Sequence, residues 1–156
     1  MTGAAKVAIG WAELTVWAVV NAVAVLQTVG FVTRIATRSM AINHALGYAI
    51  AALAVPALAA LVALGRARSG LLALSGPATF LAFVVFMLVV EDLLSIEFRS
   101  PARPGILVPY LVLFFGSILL MGLPMFSLDR RLWLVTVATT LCLLGSTAAA
   151  RIAGVG

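Results

Sequence analysis

From Leu71 to Leu94 the chain reads LLALSGPATFLAFVVFMLVVEDLL. Its first twenty residues carry no charge; two acids, Glu91 and Asp92, then stand side by side near its end. About 20 mostly apolar residues suffice for a helix to cross the hydrocarbon of a bilayer. The run is too long for a strand and has no polar stripe for water, so it predicts a membrane-spanning helix.

Four similar runs account for most of the remaining chain. Spans are expected near Val7–Val32, Ala41–Leu64, Leu71–Leu94, Ile106–Phe126 and Leu132–Ala150. Hydrophobic residues make up 64% of the 156 residues and charged ones 10%. Ordinary soluble domains have roughly 45–50% and 25%. No soluble interior in so short a chain could hide that much apolar surface, so the solvent is lipid. The fold class is all-α: one polytopic integral membrane bundle of about five transmembrane helices, residues 1–156, joined by short loops. Barrel strands would be short and alternate apolar with polar, whereas these runs are continuous.

The connections support antiparallel neighbours. Arg66 to Gly70 and Ser127 to Arg131 are tight turns, and Glu97 to Gly105, with Pro101 and Pro104, is a stiff non-helical link. Pro56, Pro109 and Pro124 are expected to kink their helices or open their ends. Lys6 before an apolar stretch, with Ala22-Val23-Ala24, mimics a signal peptide, but Glu13 interrupts it and the first run reads as a retained span.

An odd number of spans puts the termini on opposite sides. Lys6, Arg66, Arg68, Arg130 and Arg131 fall on the N-terminal side, and Arg34, Arg38, Arg99, Arg103 and Arg151 on the other. The positive-inside tally is a tie, so either topology is weakly determined or some arginines serve another purpose. The doublets Arg66/Arg68 and Arg130/Arg131 in short loops favour a cytoplasmic N-terminus. Arginine-rich, Ala/Val/Leu-rich composition suggests a GC-rich genome and a bacterial or archaeal cell membrane. Trp11 and Trp133 at one boundary, and Tyr48 and Tyr110 at the other, fit an interfacial belt.

Several functional classes are disfavoured. The basic residues sit at span ends without an aromatic platform, so nucleic acid is not an expected partner. Cys142 is the only cysteine, which excludes a thiol pair, and it reads as a packing residue. One histidine cannot supply bis-histidine haem ligation. His44 lacks a spaced partner for metal, so neither metal nor cofactor is expected.

What remains is a one-sided polar constellation. The first span ends at Arg34 and Arg38, and the second begins at Asn43 and His44. The third ends at Glu91, Asp92 and Glu97, and Arg99 and Arg103 precede the fourth. Alternating spans bring all of them to one side. Adjacent acids at a span end repel each other without a cationic partner, which favours convergence over ordinary solvated interfacial charges. If the third span starts at Leu71, Glu91 lies about 30 Å along it, at the far interface; if Ser75-Gly76-Pro77 is the start, it lies about 20 Å in.

The first span carries a polar stripe. With Glu13 at zero and about 100° per residue, Asn21 falls near +80°, Gln27 near −40°, Thr28 near +60°, Arg34 near −60° and Arg38 near −20°. Such an arc is expected to face the bundle, as interhelical hydrogen-bonding groups or as the wall of a polar path from Glu13 to the cluster. The second and fifth spans, with many alanines and with Gly145/Ala149 and Ser146/Ala150, read as close-packing scaffold, within the bundle or against a second copy.

Three functions fit. The first is binding of a lipid or other amphiphile, its polar end at Arg34, Arg38, Asn43, Glu97, Arg99 and Arg103 with Asn21 and Gln27 alongside, by a protein that acts alone, as a homo-oligomer or as a subunit of a larger membrane complex. The second is an intramembrane enzyme acting on a lipid or isoprenoid, with Glu91 or Asp92 as acid/base and His44 as partner. The third is a proton-coupled exporter using Glu13. In that glutamate alone the chain resembles small four-span multidrug transporters; it is longer, has a further span and matches none of their other motifs.

Overall fold

The computed structural model describes residues 9–39, 41–96 and 103–155, and among these every regular element is a helix. The order is α1 (Trp11–Thr37), α2 (Ala41–Ala52), α3 (Ala54–Arg66), α4 (Leu71–Met87) running into a π-helical turn (Leu88–Leu93), α5 (Pro104–Leu128) and α6 (Arg130–Ile152). Taken as α1, α2 with α3, α4 with its π turn, α5 and α6, these make five units long and apolar enough to cross a membrane. The molecule is a multi-pass helical membrane bundle.

The spans start and stop for local reasons. At the end of α3 Arg68 takes the left-handed conformation (φ 53°), and the Ser69 N–H returns to the Leu64 carbonyl at 3.0 Å. That bond answers a carbonyl the helix would otherwise leave open. The Asp129 carboxylate caps α6, accepting from the N–H groups of Arg131 (2.8 Å) and Leu132 (3.4 Å). Pro104 opens α5 at a position where its missing N–H costs nothing.

Two expectations about the spans are refined. Ser75-Gly76-Pro77 is not the start of the third span, because α4 is continuous from Leu71 through a buried Pro77. Glu91 therefore lies about 30 Å along that unit, at its far end. The second span is broken in two at Leu53, whose N–H reaches only three residues back, to the Ile50 carbonyl at 3.1 Å. Pro56 is the cause: without an N–H it leaves the Ala52 carbonyl unanswered, and its ring crowds that turn. Pro109 and Pro124 lie inside α5, which runs through both.

The helices close a ring in the order α1, α3, α4, α5, α6 and back to α1, with α1 also touching α5. The tightest approach joins α4 to α5. A Cβ added at Gly76 would stand 2.7 Å from the Met121 backbone nitrogen and 2.8 Å from its Cα. Around this point Phe80, Phe83, Met121 and Ile118 are almost fully covered. Outward-facing positions such as Val85, Val112 and Leu119 are apolar and exposed, as lipid contact requires. The two halves of the second span differ in their partners: α3 packs along both α1 and α4, whereas α2 packs mainly on α1.

Candidate functional site

The space beside α2 is a cavity of about 700 Å³. It lies where α1, α4 and α6 end and α2 and α5 begin. Gln27 and Arg34 line it from α1, Asn43, His44 and Tyr48 from α2, and Glu91, Asp92 and Ser95 from the π turn and the residues after it. The volume falls within the roughly 300–1,000 Å³ typical of small-molecule sites.

The cavity is charged at its rim and mainly apolar below, with Gln27 the polar residue at depth. Phe31, Met87, Leu107, Leu111, Phe114 and Phe115 form the apolar wall. Phe83 backs it, packing edge-on to Tyr110 (ring centroids 5.2 Å, 70°) and against Phe114 (5.2 Å). At about 1.5 Å per residue, Gln27 lies about 10 Å below Arg34, which sets the depth of the cavity along α1.

The π turn positions the acids. The Leu94 N–H donates to the carbonyl of Val89, five residues back, at 2.9 Å, and Ser95 comes next at φ 48°. One extra residue per turn rotates the residues after it by about 100° relative to an uninterrupted α-helix. Glu91 is half-buried against the cavity and Asp92 is exposed at its edge. The Tyr48 hydroxyl donates to Asp92 Oδ1 at 2.7 Å, bridging the gap between α2 and the π turn. Asn43 packs its Oδ1 toward Gly30 of α1, buried and without a hydrogen-bond partner among the described residues.

Of the residues singled out from sequence, Gln27, Arg34, Asn43, His44, Glu91 and Asp92 share this cavity. Arg38 does not line it; it forms the left-handed residue closing α1 (φ 53°), its N–H on the Arg34 carbonyl at 2.9 Å, with its side chain exposed. Arg103 is the exposed residue before α5 and is also outside it. Glu97 and Arg99 lie outside the described residues. Among the described residues no three His, Cys, Asp or Glu side chains converge as a metal ion would require.

Asn21 has a different place. It is buried, its Nδ2 donating to Thr136 Oγ1 at 3.1 Å, while Thr139 Oγ1 donates to Asn21 Oδ1 at 2.8 Å. The group joins α1 to α6 below the cavity. Interhelical bonds of this kind contribute about 0.6 kcal/mol on average and at most about 1.7. A double-mutant cycle of Asn21→Val with Thr139→Val in detergent is expected to give a coupling energy in that range, measured by reversible unfolding; zero coupling would remove the bond's role.

Glu13 sits at the opposite end, in the first turn of α1, where its carboxylate folds back to the helix-capping Gly10. An acid there also meets the positive end of the helix dipole. It lines a crevice of only about 10 Å³, with Val16, Leu64 and Met121 among its walls. Between Glu13 and Gln27 the buried face of α1 is Val16, Val19, Val20, Val23 and Ala24, interrupted only by Asn21. The polar arc is thus divided among an acid in the first turn, an α6 contact and the cavity wall.

Five polar lining residues, Tyr48, Ser95, Tyr110, Thr147 and Arg151, were not among the candidates from sequence. Tyr110, which reads as part of the interfacial belt, is buried in the cavity wall, and Thr147 and Arg151 come from the last turns of α6. The five-span alternation puts Arg151 on the correct side, but no acid or second base stands beside it in the chain to single it out. Comparison with family models, with curated proteins and with solved structures finds no match, so the chemistry of the cavity is the guide to function.

Proposed function

We propose that this chain is a small integral membrane protein that holds a lipid or other amphiphile, its polar end at the rim among Arg34, His44, Glu91 and Asp92, alone or as a subunit of a larger membrane complex. The observation that carries this reading is the 700 Å³ cavity itself, charged at the membrane face and lined with aromatic and aliphatic side chains further in. Such a gradient of polarity matches an amphiphile end to end. With the N-terminus cytoplasmic, as the arginine doublets favour, the cavity opens on the outer face.

The test is extraction of the purified protein followed by mass analysis. The expected result is one reproducible amphiphile near one copy per chain, persisting through detergent exchange. Bulk membrane lipid in bulk proportions would overturn the proposal.

A second reading, an intramembrane enzyme acting on a lipid or isoprenoid, has one observation in its favour: His44, Glu91 and Asp92 line the same cavity. Carboxylates and an imidazole sharing one cavity are the residue types that general acid–base catalysis uses. Conversion of the extracted amphiphile by the wild-type protein, abolished in Glu91→Gln and His44→Ala, would select this reading; recovery of the amphiphile unchanged would select binding.

A further inference from the structure

Among the described residues, the acids and arginines lining the cavity are sorted by wall. Arg34 stands in the last turn of α1 and Arg151 in the last turn of α6, on two helices that pack along each other. Glu91 and Asp92 stand on the π turn, which continues α4, and α4 packs on α5 and α3. Among the described residues, two arginines therefore line the cavity from one pair of helices and two acids from another unit. Asp92 is further held by the Tyr48 hydroxyl at 2.7 Å.

This sorting selects among headgroups. A purely anionic one would reach the arginines but bring its charge against the acidic wall. A purely cationic one would meet the opposite conflict. Like charges juxtaposed across an interface disfavour the wrong partner, so the pattern is selective in both directions. A headgroup carrying both signs a few bonds apart satisfies each wall.

We infer that the cavity takes a zwitterionic amphiphile, a phosphate directed to Arg151 beside Arg34 and an amine directed to Asp92 beside Glu91, with the hydrocarbon against Phe31, Met87, Phe114 and Phe115. This rests on the amphiphile reading above and names the ligand class for it. Guanidinium forks suit phosphate oxygens, and carboxylates suit ammonium N–H groups.

The experiment delipidates the purified protein and exposes it to mixed micelles holding equal amounts of phosphatidylethanolamine, phosphatidylglycerol and a fatty acid, then counts retained molecules by native mass spectrometry. Phosphatidylethanolamine is expected to be retained at least tenfold over either competitor. Asp92→Asn is expected to abolish the preference over phosphatidylglycerol, and Arg151→Gln to weaken retention of both phospholipids, with circular dichroism and melting confirming that each variant is folded. Should Asp92→Asn fail to fold, wild type and Arg151→Gln still decide the matter. Retention of phosphatidylglycerol or the fatty acid at the level of phosphatidylethanolamine would overturn the zwitterion inference and leave amphiphile binding standing. Retention of none of the three, with no amphiphile in the original extract, would overturn both.

Discussion

Gly76→Val is expected to be the most destructive single substitution in the bundle. A side chain at this position points into backbone, since its Cβ would lie 2.7 Å from Met121 N, 2.8 Å from Met121 Cα and 2.9 Å from the Leu120 carbonyl carbon. Backbone atoms cannot rotate aside, so α4 and α5 must separate along their whole contact. That contact contains Phe80, Phe83, Phe114 and Ile118, all nearly inaccessible. Overpacking commonly costs about 1–3 kcal/mol, and that is the loss expected for Gly76→Ala. Valine, with two more methyl groups in the same place, is expected to lose more and to reduce the yield of folded protein. Intrinsic helix propensity works the other way, favouring alanine over glycine by about 0.5–1 kcal/mol. A destabilised alanine variant therefore identifies packing as the cause. Gly116→Ala, also inside α5 but with nothing within 4 Å of the added carbon, is the matched control and is expected to be neutral or slightly stabilising. Equal behaviour of the two in reversible unfolding would refute the close approach.

The membership of each span is legible in the chain because lipid imposes one requirement over about 20 consecutive residues, and composition alone reports it. The same alternation of sides brings Arg34, Asn43, His44, Glu91 and Asp92 to one face without any knowledge of geometry. Depth and direction are less legible. Pro77 and Pro56 have the same chemistry, yet α4 absorbs the first while the second divides its span at Leu53. Pro77 is fully buried beside the α4–α5 contact at Gly76, where packing holds the helix together, whereas Pro56 is only half-buried. The π turn likewise has no signature in the residues Leu88–Leu93, since it shifts register by one without changing composition. Arg38 shows the limit of the helical wheel. Its angle belongs with Arg34, but the helix ends at Thr37 and Arg38 turns the chain with φ 53°.

The kink and the π turn act on the same space. One parts α2 from α4, and the other presents Glu91 and Asp92 to the gap so made. Tyr48 then spans it through its hydrogen bond to Asp92, where packed backbone would otherwise be needed. The cavity lies where α2, unlike α3, makes no extensive contact with α4.

Pro56→Ala is accordingly expected to fill that space from within. An alanine restores the N–H that can bond the Ala52 carbonyl, so α2 and α3 can join into one helix and α2 can approach α4. Proline inside a helix costs about 3 kcal/mol relative to alanine, and up to that amount of stability is expected to return in the ligand-free protein. The cavity is expected to shrink as it does so, and the bound amphiphile to fall at least about tenfold, equivalent to about 1.4 kcal/mol of affinity. The two effects have opposite signs, which separates this mechanism from simple damage: a variant that merely misfolds would lose both stability and ligand. Melting temperature and lipid content of the same preparation are the measurements, with spin-label distances between α2 and α4 expected to shorten. A variant that becomes more stable yet retains its amphiphile undiminished would show that the kink does not make the cavity, and the space between α2 and the π turn would then need another cause.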